Sequence, residues 1–401
     1  MKKSAFIFPG QGTQYVGMGK TLHDQFSSAR ETFEEANDVT GIDITKLCFE
    51  GSLLKLSQID MAQLAIVTAS VAAYRVLKEE LELEPDYVAG HSLGEYSALV
   101  ASGVISFKDA LKLLQLRGEL CFPYCNSGKG SMSIIDHVQS GLIENICSKV
   151  SSVGCQVSIA CYNAPLQTVI TGDAKAVMEA EDAAVMLGGG VTPLMMSGPF
   201  HSPILQPVAN LMERELKDLK VSNFSFPVMS NVTGLPYTTP ESVRELLLSH
   251  LTHPVKWMDI LHYLSINNID VMVEVGPQHI LTNLLKLNDA PFSTYSFGIA
   301  NELPSLSALK PKKYSDIEFM AQCLKAAVTT RNRNLDESAF ESAIEAYTEL
   351  EQIDREVNLH RNILSNKQRE RAIQLLTQVL VNKQVPLNER EMTLGKLLCQ
   401  D

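Results

Sequence analysis

The 401-residue sequence predicts an α/β fold, with a small α+β subdomain inserted into it and a helical segment towards its C-terminal end. Three observations carry that expectation. Residues 4–8 (SAFIF) form a short apolar run that stops at Pro9-Gly10-Gln11-Gly12, as a buried strand entering a tight loop does. Asp86-Tyr87-Val88-Ala89-Gly90 repeats the pattern and runs through His91-Ser92-Leu93-Gly94-Glu95 into the apolar stretch Tyr96 to Val104. Strand, glycine-flanked turn and helix in succession mark an α/β sheet. Between about 130 and 195, four strand-like runs alternate with two helical ones, which is the composition of a small α+β unit.

Taken in order, the segment up to about residue 80 is mostly helical by pattern. Its most apolar stretch, Met61 to Leu77, contains Gln63, Thr68, Ser70 and Arg75, so it reads as a buried helix and not as a membrane span. Residues 107–120 carry apolar side chains at helical spacing. The strands expected in the insert are SMSII, VSIACYN, QTVITG and VTPLMM. The chain then returns to helix (203–218), strand (PVMS, 227–230), helix (240–264) and strand (VMVEV, 271–275). Past about 300 the texture changes. Pro304, Pro311, Lys310, Lys312 and Lys313 make a linker-like stretch, and residues 315–380 are polar and helical by pattern. The expected division is 1–128 with 197–300 for the large subdomain, 129–196 for the insert and 301–401 for the extension. A chain of this length is expected to hold about two or three domains.

Composition narrows the function. There are 46 acidic and 34 basic residues, a net charge of −12, so phosphate backbones are repelled and nucleic acid is not an expected partner. Eight cysteines, with no paired C-x-x-C, give neither a disulfide scaffold nor a zinc site; they read as free thiols in a reducing cytosol. Lys2 and Lys3 before Ala5-Phe6-Ile7-Phe8 imitate a secretory leader, but the apolar run ends at Pro9 and is too short. A cytoplasmic protein without a membrane partner is expected. Gly10-Gln11-Gly12 lacks the G-K-[ST] of a P-loop and the G-x-G-x-x-G of a dinucleotide site.

Gly90-His91-Ser92-Leu93-Gly94 fits G-x-S-x-G. That spacing places a serine on a turn so tight that the flanking positions cannot carry side chains, and the next N–H points to where an oxyanion would form. The ordinary alternative is a plain strand-to-helix turn. Serine is a weak nucleophile and needs a base. His201, in Ser197-Gly198-Pro199-Phe200-His201-Ser202-Pro203, sits in a rigid loop after a strand and is the leading candidate, with a purely structural His as the alternative. His250, His253, His262 and His279 compete with it, and His91 is expected to fix the elbow. Arg117 stands in an apolar helical stretch. It is either snorkelling to solvent or a fork for a substrate carboxylate.

Taken together, Phe8-Pro9-Gly10-Gln11-Gly12, Gly90-His91-Ser92-Leu93-Gly94-Glu95, Arg117-Gly118, Tyr162-Asn163-Ala164-Pro165, Gly198-Pro199-Phe200-His201-Ser202, Ser230-Asn231-Val232-Thr233-Gly234 and Glu274-Val275-Gly276-Pro277 resemble, in order and spacing, the malonyl-CoA:acyl carrier protein transacylases, including the acyltransferases of polyketide synthases. The resemblance covers about residues 4–290. It implies an α/β-hydrolase-like large subdomain with a ferredoxin-like insert, and a ping-pong acyl transfer with malonyl-CoA as substrate. Ser92 would be the nucleophile and His201 the base, with the N–H groups of Gln11 and Leu93 as oxyanion hole. Arg117 would pair with the malonyl carboxylate, and Gln63, Asn163 and Phe200 would line the substrate site. The acceptor would be the phosphopantetheine thiol of an acyl carrier protein, with no cofactor bound to the enzyme. A backbone carbonyl at or just before Thr252-His253-Pro254-Val255-Lys256-Trp257 would orient the His.

Two departures stand out: Leu64 follows Gln63 where the family has Pro, and Cys121 replaces a Met. The surplus after residue 300 resembles tails on stand-alone acyltransferases of bacterial polyketide or hybrid peptide–polyketide assembly lines, and one expected use of it is docking carrier-bearing subunits. An acyl-thioester hydrolase that clears stalled carriers is the rival activity. It needs no Arg at position 117.

Overall fold

The computed structural model describes residues 3–195, 197–310, 315–359 and 364–398. The chain divides into two compact units, one reaching Ala308 and one beginning at Leu309. The division thus falls eight residues beyond the expected boundary at 300.

In the first unit, β1 (Lys3–Phe8), β2 (Tyr87–Gly90), β7 (Ile269–Val275) and β8 (Ser293–Phe297) form a parallel sheet in the order β2-β1-β7-β8. The apolar runs that announced β1, β2 and β7 are buried on both faces, as parallel strands between helices are. The helix Ile59–Leu81 is long and apolar enough to cross a membrane by length and composition, but it is the core helix packed against this sheet. Its Leu64, Ala65, Ile66, Ala72, Ala73 and Leu77 are fully buried.

The insert forms between the helix Phe107–Asn126 and the loop that carries His201. β3 (Gly130–Asp136), a helix (Ser140–Val150), β4 (Val157–Ala164), β5 (Gln167–Asp173), a helix (Ala174–Met186) and β6 (Gly190–Pro193) follow one another. The strands pair antiparallel in the order β4-β5-β3-β6, the ferredoxin-like arrangement. The two helices cover one face and bury Ile143, Cys147, Val177 and Ala184 against Ile135, Val157 and Ile170. The fold class read from the sequence is the one observed.

Three local expectations need correction. PVMS is not a strand. Val228 makes one parallel bridge to Val88, and Met229 one antiparallel bridge to Pro236, with prolines at 227 and 236 denying the donors a ladder needs. The helix expected over 240–264 is two helices, Ser242–His250 and Trp257–Ile266, because Pro254 forbids helical conformation before it. β8 was not anticipated; its alternating polar residues hide an edge strand.

The second unit is helical: Asp316–Thr329, Glu337–Leu359, Asn366–Asn382 and Leu387–Leu398. Two of these helices start at capping boxes, Ser315 with Glu318 and Ser365 with Gln368. Phe319, Met320, Cys323, Leu350, Leu376 and Leu380 bury completely in a core of its own. Asp316 pairs with Arg369, whose guanidinium lies over the Phe319 ring. Of the basic cluster noted above, Lys312 and Lys313 lie outside the described residues.

One close approach sets where the first unit can turn. A Cβ on Gly94 would stand 2.0 Å from the Phe8 carbonyl oxygen, so the loop after β1 and the turn after β2 meet backbone to backbone. A Cβ on Gly141 would meet nothing within 4 Å. Gly94→Ala is therefore expected to destabilise the protein by about 3 kcal/mol or more through overpacking. Gly141→Ala, in a helix, should stabilise it by up to about 1 kcal/mol. Thermal melts of the two variants check the contrast, and equal effects would contradict it.

Candidate active site

Ser92 stands at the turn between β2 and the helix Gly94–Ala101, with φ at 49°. That left-handed backbone is costly for serine and persists because the surroundings force it. A Cβ on Gly90 would lie 2.0 Å from the Gly94 carbonyl carbon, so neither flanking glycine can be replaced without moving the turn. The Asn231 side chain braces it from below: its Oδ1 accepts the Ser92 N–H at 2.7 Å, and its Nδ2 donates to the Gly90 carbonyl at 2.7 Å. His91 donates through Nε2 to Asn163 Oδ1 at 2.8 Å, and its ring packs edge-on against Trp257. This is the loop-fixing part expected of it. The Asn163 amide is itself held, its Nδ2 donating to Gln167 Oε1 at 3.1 Å.

His201 comes from the loop after the insert and meets Ser92 across 2.7 Å, Oγ to Nε2. Its φ is 59°. Nδ1 faces the His250 carbonyl at 2.9 Å and the His253 carbonyl at 3.2 Å, so Nδ1 carries the proton and Nε2 is left to accept from the serine hydroxyl. The nearer carbonyl is available because the helix Ser242–His250 ends there, leaving its last C=O groups without intrahelical donors. Burial, with the Arg117 guanidinium beside it, lowers His201 to about 3, well below the ordinary 6.5. Of the competitors, His253, His262 and His279 are exposed, and His250 lies under His201.

Arg117, on the helix Phe107–Asn126, is 3% exposed. Snorkelling is thereby excluded. Nη1 donates to Gln63 Oε1 at 3.1 Å, and the guanidinium lies 5.1 Å from the Phe200 ring and 5.8 Å from the Tyr96 ring. Its buried Nε has no hydrogen-bond partner, and among the described residues no carboxylate pairs with it. Gln63 is positioned in turn by donating to the Ile59 carbonyl at 3.0 Å. Gly10 packs against the elbow, where its Cβ would be 2.5 Å from the His91 carbonyl oxygen and 3.5 Å from the Leu93 nitrogen. The loop that carries Gln11 thus lies alongside Leu93. The backbone N–H groups of both residues are without an acceptor among the described residues. No group of residues able to hold a metal ion occurs among the described residues.

A serine activated by a neutral imidazole, two free N–H donors and a buried unpaired cation make an arrangement suited to acyl transfer from a thioester that carries an anion. The acyl transferase domain family matches residues 5–290. A malonyl CoA-acyl carrier protein transacylase of Bacillus subtilis is 34% identical over 395 residues, 97% of this chain and 99% of the relative. The chain belongs to the malonyl-CoA:acyl carrier protein transacylase family. Among solved structures, an acyl carrier protein S-malonyltransferase from Vibrio cholerae superposes with a TM-score of 0.72 at 35% identity, covering 76% of this chain and 99% of that one. A malonyl-transacylase solved in complex with the holo acyl-carrier protein of a type II polyketide synthase gives a TM-score of 0.74 at 34% identity, covering 77% and 99%.

This transacylase-family chain brings Ser92, His201, Arg117, Gln63 and Phe200 together, with Asn163 held against His91 and the Gln11 loop beside Leu93, while the side chains of His253, His262 and His279 lie away from them. The resemblance put the orienting carbonyl at or just before residues 252–257, and the carbonyls that His201 Nδ1 faces are those of His250 and His253. The bracing by Asn231 was missed, being visible only as part of a motif, and nothing in the identity of residue 250 marks its carbonyl. Pro254, which ends the helix nearby, was the available signal.

The depressed His201 has a pH consequence. The imidazole is neutral in the folded protein between about 3 and 6.5, where the unfolded chain would protonate it. Its contribution to stability is therefore present above 6.5 and lost as pH falls through that interval, whereas its capacity as a base is kept. Acyl-enzyme formation is expected to change by less than about 2-fold between about pH 7.5 and 5.5. A tenfold fall per pH unit beginning near 6.5 would contradict the neutral buried base.

Proposed function

We propose that this chain moves a malonyl group from malonyl-CoA to the phosphopantetheine thiol of an acyl carrier protein, through a malonyl ester on Ser92. The observation that carries the reading is the 2.7 Å contact between Ser92 Oγ and a neutral His201 beside the unpaired Arg117. The names of the relatives agree with it.

In the first half-reaction His201 Nε2 takes the Ser92 proton as Oγ bonds to the thioester carbonyl carbon. The carbonyl oxygen gains charge and is met by the N–H groups of Gln11 and Leu93. The C–S bond then breaks, and the CoA sulfur leaves with the proton held by His201. In the second half-reaction the carrier thiol gives its proton to His201 and attacks the ester, and Ser92 leaves reprotonated. The His250 carbonyl holds the imidazole and stabilises its protonated form. Arg117 pairs with the free carboxylate of the acyl group, with Gln63 fixing the guanidinium and Phe200 and Tyr96 closing over it. A hydrolase of unsubstituted acyl groups would have no use for that buried charge.

The finer assignment is a stand-alone transferase serving a polyketide or hybrid peptide–polyketide assembly line, with antibiotic biosynthesis as its setting and the cytoplasm as its place. The support is the likeness to the malonyl-transacylase solved with the carrier of a type II polyketide synthase, together with the C-terminal unit, which the Bacillus subtilis relative shares in a match over 97% of this chain. Pairing the purified enzyme with candidate carriers tests it. Faster transfer to carriers of a fatty acid synthase would contradict it.

Labelled malonyl-CoA should acylate the wild-type protein and leave Ser92→Ala unlabelled, read by intact mass; equal labelling would sink the proposal. Arg117→Ala should lower kcat/KM for malonyl-CoA by about 100-fold or more, matching the several kcal/mol lost when a buried charge loses its partner. Acetyl-CoA turnover should fall far less, and a uniform loss for both substrates would contradict the carboxylate role.

A further inference from the structure

Behind the Ser92–His201 pair lies a carboxyl group that the acyl transfer does not use. Glu95 follows Ser92 by three residues, on the helix Gly94–Ala101, and is completely buried. Its Oε1 accepts from the Tyr237 hydroxyl at 2.6 Å and from the Asn231 N–H at 3.3 Å. Its Oε2 has no hydrogen-bond partner and faces His250 Nε2 at 3.5 Å. Both ring nitrogens of His250 are buried and without hydrogen bonds of their own.

Two of the three neighbours of Glu95 hold the two reacting side chains. Asn231 accepts the Ser92 N–H and ties down the Gly90 carbonyl. His250 offers its carbonyl to His201 Nδ1 at 2.9 Å, and its ring packs edge-on to the His201 ring at 4.9 Å. One carboxyl group therefore touches the support of the nucleophile on one oxygen and faces the support of the base on the other. We propose that Glu95 is the positioning residue that locks the Ser92–His201 distance, gripping Asn231 and Tyr237 through Oε1 and sharing an Oε2 proton with His250 Nε2. The inference rests on the dyad reading above and adds to it a residue that never touches substrate.

The surroundings favour the protonated acid that such sharing needs. Burial pushes Glu95 up to about 8, only partly offset by the donations from Tyr237 and Asn231. His250 is held well below its ordinary value by burial and by His201, Arg117 and His91, so it is neutral and has a lone pair to offer. The other ionisable neighbours do not compete for charge near that pH: Tyr237 and Tyr96 are both raised by burial, and His201 and His91 are lowered by it. The Arg117 guanidinium lies over the Tyr96 ring, 5.8 Å from its centroid. Above about 8, Oε2 loses its proton and no longer donates to His250; Nε2 must then carry the imidazole proton, and a buried anion replaces the neutral pair. The geometry of the grip on His250 changes with it.

Single-turnover formation of the malonyl-enzyme tests this, since that half-reaction consumes no free thiol whose own ionisation would intrude. The full-length wild type, Ser92→Ala, Glu95→Gln and Glu95→Ala are compared by intact mass across about pH 6–10. The wild-type rate should decline above about pH 8. Glu95→Gln keeps an amide donor for His250 without a titrating proton, so its rate should stay within about 3-fold of wild type and lose the alkaline decline. Glu95→Ala should lose about 100-fold in rate, as for an ångström-scale misplacement, with KM for malonyl-CoA within about 3-fold. If Glu95→Ala does not fold, the Glu95→Gln profile decides. A Glu95→Gln enzyme that declines with the wild-type midpoint, or is as slow as the alanine variant, overturns the inference alone. Labelling of Ser92→Ala equal to wild type overturns the dyad reading and this inference together.

Discussion

Arg117 is a full positive charge kept inside the protein with no carboxylate beside it, and the chemistry of the site is arranged around that fact. Burying an isolated charge costs several kcal/mol. Gln63 and the faces of Phe200 and Tyr96 offset part of this, and the unpartnered Nε shows that the offset is incomplete. A substrate bearing an anion completes the pair, so binding energy is directed at acyl groups with a free carboxylate. Burial depresses His201 and His250 and keeps both rings neutral, and the same cation adds to the effect. The imidazole that receives the serine proton is therefore unprotonated beforehand, over a pH range far wider than an ordinary histidine allows. One guanidinium thus serves the selectivity for the acyl group and reinforces the readiness that burial gives the base.

The base in this site is oriented by a carbonyl oxygen, and the fold creates that oxygen by ending a helix. The helix Ser242–His250 stops there, and Pro254 keeps the next one from joining it. The C=O groups left over at the break would otherwise need water. Here two of them converge on His201 Nδ1.

How much of this could be read from the sequence depended on whether the cause was local. The glycines at 90 and 94 and the strand before them are a local pattern with a steric reason, so the elbow and Ser92 were legible. The four insert strands were legible because β-rich runs alternate with helical ones. PVMS misled because a short, largely apolar run looks the same whether it pairs along a ladder or makes single bridges. Reading 240–264 as one helix gave apolar spacing more weight than Pro254. Glu95 was quoted as the end of a motif, but its burial against Tyr237 and His250 depends on residues more than a hundred positions away. The C-terminal unit showed its helices through its polar, helical pattern. Its core of Phe319, Leu350 and Leu376 emerged only when the helices came together.

Ser92 and His201 both sit in left-handed backbone, at φ 49° and 59°. Each such conformation costs a non-glycine residue of order 1 kcal/mol or more. The protein therefore carries its reactive pair as a thermodynamic liability, and glycine at position 92 would relieve strain while abolishing the nucleophile. In a search for more heat-resistant variants made without an activity screen, the elbow is where selection would discard function first.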